Sequence, residues 1–186
     1  MLDAVFFDIQ GNPTLSSISA VLAPGSTVLF GGTDPGGVVG GEWAYGAGLS
    51  GAPNGTTQGI SSAGFGLFGS ATFPGTNLQG PGSGAVDGDQ YGITSTVDNP
   101  LTGQANVTGN LALIKNSVLF TLGALPDNFD TSSISNVYFQ YGSAIDSSHT
   151  GFAAEYEGGP VPEPGTLLLL GTGLAGLAML RRIKKA

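Results

Sequence analysis

The chain contains no cysteine, which excludes disulfide staples, thiolate metal sites, iron–sulfur clusters and cysteine nucleophiles. A single histidine, His149, stands among 186 residues, so there is little material for imidazole metal centres or for acid–base chemistry near neutral pH. Charge is scarce as well: 10% of residues are Asp, Glu, Lys or Arg, against about a quarter in an ordinary soluble domain. Positive charge is scarcest. Within residues 1–160 Lys115 faces twelve acidic residues, a net charge of −11. A body of that sign repels phosphate backbones and anionic lipid headgroups, which excludes nucleic acid as a partner and leaves neutral polymers or divalent cations. No stretch of this body carries a helical period of apolar residues.

Glycine is abundant where charge is not. Twenty of the 33 glycines fall within residues 31–92, together with prolines at 35, 53, 74 and 81, a composition that predicts long loops between short strands. Trp43, Tyr45, Phe65, Phe68 and Phe73 in the same stretch argue for a packed segment and against complete disorder. Strand signals surround it. Val118, Phe120 and Leu122 alternate with Ser117, Leu119 and Thr121, and Val137, Phe139 and Tyr141 alternate with Asn136, Tyr138 and Gln140, the period of two of half-buried strands. Segments 111–114 and 117–122 flank Lys115-Asn116, a pair that suits a two-residue hairpin turn because asparagine tolerates positive φ. Further strands are expected at 18–22, 27–30, 38–45, 91–97 and 152–156. The reading is an all-β body, an antiparallel β-sandwich-like ectodomain with glycine-rich loops over residues 1–154, followed by a linker at 155–160.

Candidate sites in this body are few. Asp146-Ser147-Ser148-His149 holds the residue types of a hydrolase triad, but adjacent positions cannot form a relay and no G-x-S-x-G elbow occurs, so it reads as a polar loop. Asp87-Gly88-Asp89 offers hard oxygen ligands to calcium; the full calcium-loop pattern is absent, and a turn explains Asp-Gly equally well. Trp43 and Tyr45 share one face of an expected strand and could stack on a sugar, although a core position is the stronger reading for aromatics. Asn54-Gly55-Thr56 and Asn106-Val107-Thr108 match glycosylation sequons, a weak signal.

The C-terminal end is physically different. From Pro164 to Leu180 run seventeen residues without a charge, reaching about 25 Å as a helix, the short limit for crossing a bilayer. Its polar side chains are two threonines, which can bond to their own backbone, so it reads as a transmembrane helix over about 165–180 and not as an amphipathic core helix. Arg181, Arg182, Lys184 and Lys185 follow at once, which places the C-terminus in the cytoplasm and the acidic body on the far side. Gly171-Thr172-Gly173-Leu174-Ala175-Gly176 fits the dinucleotide fingerprint but lacks its strand, long helix and distal acid; its small residues suit close helix packing. Export needs a signal, and residues 1–8 have no basic n-region and an early aspartate, so the signal is expected upstream of Met1 or to have been removed.

The order Val161-Pro162-Glu163-Pro164, apolar helix, Arg181-Arg182 resembles the PEP-CTERM sorting signal of exported proteins in Gram-negative, biofilm-forming bacteria. The resemblance covers residues 161–186. It implies recognition of Pro162, Glu163 and Pro164 by exosortase, a membrane-embedded protease, with cleavage near that element. More loosely, residues 99–145 resemble the ectodomains of exosortase-dependent surface proteins. A simple membrane anchor with a stiff proline linker is the alternative for the tail. The expectation is a non-enzymatic protein without a resident cofactor, calcium apart. It is exported, transiently anchored in the inner membrane, then displayed at the cell surface or released into extracellular polysaccharide, with a structural or adhesive role in biofilm. The alternatives are a secreted glycan- or calcium-binding module using Trp43, Tyr45, Asp87 and Asp89, and third a secreted hydrolase.

Overall fold

The computed structural model describes residues 1–69, 71–79, 86, 88, 90–99, 111–142 and 144–145. The chain divides into two units, Met1–Glu155 and Tyr156–Ala186, and every described residue lies in the first. Its regular structure is almost entirely strand: β1 Leu2–Ile9, β2 Ser16–Leu22, β3 Thr27–Leu29, β4 Ala44–Ala47, β5 Gln58–Ser61, β6 Gly92–Thr94, β7 Leu113–Lys115, β8 Val118–Gly123 and β9 Ile134–Tyr141. Three single-turn 3-10 helices, Gly40–Glu42, Pro53–Gly55 and Thr131–Ser133, are the helical elements among the described residues. Seven strands form one sheet in the order β3-β7-β6-β1-β5-β4, with β9 also paired to β1, while β2 and β8 form a separate two-stranded sheet.

Strand β1 organises the large sheet. It pairs antiparallel with β5 from Ala4↔Ser61 to Phe7↔Gln58, with β9 from Leu2↔Tyr141 to Ile9↔Ile134, and with β6 at Leu2↔Ile93. Its side chains alternate, as a pleated strand requires, but both faces are covered. Val5, Phe7 and Ile9 join the main core together with Trp43, Ile60, Phe73, Tyr91 and Ile114. Ala4 and Phe6 face a second cluster roofed by Leu49, Ala52, Phe65, Leu67 and Phe68, with the Phe6 ring 5.8 Å from Phe68 and 6.2 Å from Phe65. Burying a large apolar side chain contributes about 1.5–3 kcal/mol, so a strand buried on both faces anchors the unit.

The smaller sheet packs on the main core. Ala20 and Leu22 of β2, with Val118, Phe120 and Leu122 of β8, face inward, the alternation expected for β8. A register shift between Ser17 and Ser19 marks a bulge that turns Ile18 outward, to 51% exposure.

Three expectations about the strands need correction. Lys115-Asn116 does not close a hairpin. β7 pairs with β3 and β6, whereas β8 pairs with β2, so the chain passes from one sheet to the other at Asn116. That residue takes φ 94°, donates its N–H to Thr94 O at 2.9 Å, and is followed by Ser117, whose N–H meets Ser26 Oγ at 3.1 Å. The large sheet is mixed and not purely antiparallel, because β6 and β7 run parallel from Gly92↔Leu113 to Thr94↔Lys115; their connection is long enough to cross over. The strand expected over 38–45 is broken by the 3-10 turn at Gly40–Glu42, and β4 begins only at Ala44. The cause is close approach: a Cβ on Gly40 would lie 2.1 Å from Pro74 O, and one on Gly41 2.2 Å from Thr76 O. The strand expected at 152–156, the linker and the whole sorting segment lie outside the described residues.

Candidate functional site

Trp43 and Tyr45 do share one face, and that face looks inward. Trp43 is 1% exposed, its ring set edge-on to Phe120 at 4.9 Å, while Phe73 packs on the same Phe120 ring at 5.5 Å. Such pairs contribute about 0.5–1.5 kcal/mol beyond the area they bury. The indole offers no open ring face to a sugar; the core position is where it sits. Its Nε1 is buried without a hydrogen-bond partner, which weakens the core locally.

Tyr45, half-buried against the same core, uses its hydroxyl internally. It donates to Gln58 Oε1 at 2.8 Å and accepts from the Leu15 N–H at 3.2 Å, and burial pushes its phenol pKa up. Gln58, itself fully buried, carries the tie onward by donating to Pro13 O at 3.1 Å and Asn12 Oδ1 at 3.2 Å. Tyr45 and Gln58 therefore fasten β4 and β5 to the loop after β1.

Three acidic side chains, Glu42, Asp8 and Asp98, likewise hold segments of the chain together. Glu42, 1% exposed, accepts from the Leu78 N–H at 2.5 Å and from Gln79 Nε2 at 3.1 Å, pinning the loop that crosses Gly41. Asp8 accepts from the Thr57 N–H and Oγ1, each at 2.8 Å, and from Asn136 Nδ2 at 3.0 Å. Burial pushes the Asp8 carboxyl up, but the bonds from Asn136 and Thr57 outweigh it and hold it below the ordinary value. Asp98 is held low by the Thr94 hydroxyl and then by the Ser95 N–H, the latter at 2.9 Å. Among the described residues no three His, Cys, Asp or Glu side chains lie together in a way that could hold a metal ion. Asp87 and Asp89, the calcium candidates, and the Asp146–His149 loop lie outside the described residues.

Sequence reasoning did not anticipate an apolar cleft of about 340 Å³ lined by Val5, Phe7, Ile9, Leu122, Phe129 and Ile134, among others. It lies where β8 meets the large sheet, and its lining is aliphatic and aromatic throughout. A more polar hollow of about 350 Å³ runs beside Gly31, Gly32, Gln79, Gln90 and Tyr91. There the Tyr91 hydroxyl donates to Gly32 O at 3.1 Å, and burial, with the Glu42 charge behind it, pushes its pKa up to about 12. Neither hollow combines a nucleophile, a base and an oxyanion donor set, the elements of acyl-transfer chemistry.

Among the described residues the hydrogen bonds named above run within the strand-rich body; a sequence signal of a different kind lies in the tail. Residues 160–183 match the PEP-CTERM protein-sorting motif. The match takes in Val161, Pro162, Glu163 and Pro164, with Arg181 and Arg182 at its far end; Lys184 and Lys185 come just after it. The chain carries a sorting signal that implies export, sorting at a membrane and processing by exosortase. No curated protein and no solved structure matches the chain. Among the described residues no helix is long and apolar enough to cross a membrane; the segment expected to do so, about 165–180, lies outside them.

Proposed function

We propose that this chain is a non-enzymatic protein of the cell surface or extracellular matrix, with a structural or adhesive role in biofilm or exopolysaccharide. The segment of about 165–180 holds it in the inner membrane as a transmembrane helix. Arg181, Arg182, Lys184 and Lys185 keep the C-terminus cytoplasmic, and exosortase cuts near Val161–Pro164 to release the sandwich-like ectodomain. The observation that carries this reading is the sorting motif at 160–183 joined to a body of net charge −11 over residues 1–160.

The physical chemistry is consistent with it. Pro162 and Pro164 fix an extended backbone that cannot join a sheet, which presents the chain to a protease. The apolar helix holds that stretch at one height above the bilayer. A body with one lysine is not retained by anionic headgroups once cut free, and extracellular polysaccharide is its expected surroundings. The test is fractionation of the native host with and without exosortase. The chain is expected in the surface or matrix fraction of the first strain and in the inner membrane of the second. Recovery from the cytoplasm of both strains would contradict the proposal.

A further inference from the structure

We draw no further inference here: the strongest candidate, the apolar cleft between β8 and the large sheet lined by Phe7, Ile9, Leu122, Phe129 and Ile134, is an unpartnered surface, and nothing in the structure shows what covers it.

Discussion

Replacing Trp43 separates an architectural aromatic from a ligand-stacking one. The indole is 1% exposed and packs edge-on to Phe120 at 4.9 Å, so Trp43→Ala leaves a cavity in the main core and costs about 3–5 kcal/mol. For a unit of this size each kcal/mol lowers Tm by about 2–4 °C, giving a fall of roughly 6–20 °C. Trp43→Phe is the informative partner. It keeps most of the ring contact with Phe120 and removes the buried, unpartnered Nε1; losing that uncompensated group offsets part of the lost area, so the cost is held to about 1–2 kcal/mol. The assay is thermal and urea unfolding of the full chain in mild detergent, followed by circular dichroism. Because Trp43 is the one tryptophan in the chain, native fluorescence reports this site alone and should resist acrylamide until the protein unfolds. Soluble oligosaccharides should leave that emission unchanged. If Trp43→Phe kept its Tm yet abolished binding to a glycan array, or if oligosaccharides shifted the emission, the architectural reasoning would fail.

Two further predictions follow from single contacts. Gly41→Ala places a Cβ 2.2 Å from Thr76 O, where the obstacle is backbone, whereas Gly69→Ala meets nothing within 4 Å; the first is expected to lower the urea midpoint by about 2–3 kcal/mol equivalent and the second to stay within about 0.5 kcal/mol. Equal effects would show that the crossing of residues 40–41 over 73–77 is misplaced. Asp8, held below its ordinary pKa by Asn136 and Thr57 against the opposing effect of burial, stabilises the fold at pH values above the unfolded aspartate value of about 4, and that contribution is lost as pH falls through the lower folded value. Because the site is partly open to water, Asp8→Asn should cost only about 1 kcal/mol at pH 7 and make the acid limb of the stability profile shallower; an unchanged acid limb would remove Asp8 from that role.

What the sequence disclosed depended on which faces of each strand are covered. β8 was legible because Val118, Phe120 and Leu122 point into the core while Leu119 and Thr121 face outward. β1 was not, although it is the central strand. With Val5, Phe7 and Ile9 in one cluster and Ala4 and Phe6 in another, Ala-Val-Phe-Phe carries no alternation of polarity. β5, Gln58–Ser61, escaped for a related reason: it is buried at all four positions, yet three of them are Gln, Gly and Ser. β9 was found as a strand, but its bulge was not visible in advance. The shift between the Phe6 and Asp8 pairings goes with φ 50° at Asn136, and beyond it Tyr138 and Gln140 are buried while Tyr141 is 46% exposed. The false hairpin at Lys115-Asn116 shows the limit of local turn chemistry. The positive φ at Asn116 was legible, but long-range pairing with β3, β6 and β2 decided which strands it joined. In the tail the order of residues carried the signal outright, because a proline pair, an apolar run and a basic end are read along the chain and need no tertiary partner.

The central claim, that the apolar tail and its basic end are a removable sorting device and the acidic body its passenger, is tested most directly by intact-mass measurement of the protein purified from its native host with and without exosortase. The account predicts a mature product ending near Val161–Pro164 in the first case and a chain retaining residues 165–186 in the second. A product from the exosortase-bearing host that still contains residues 165–186 would contradict it.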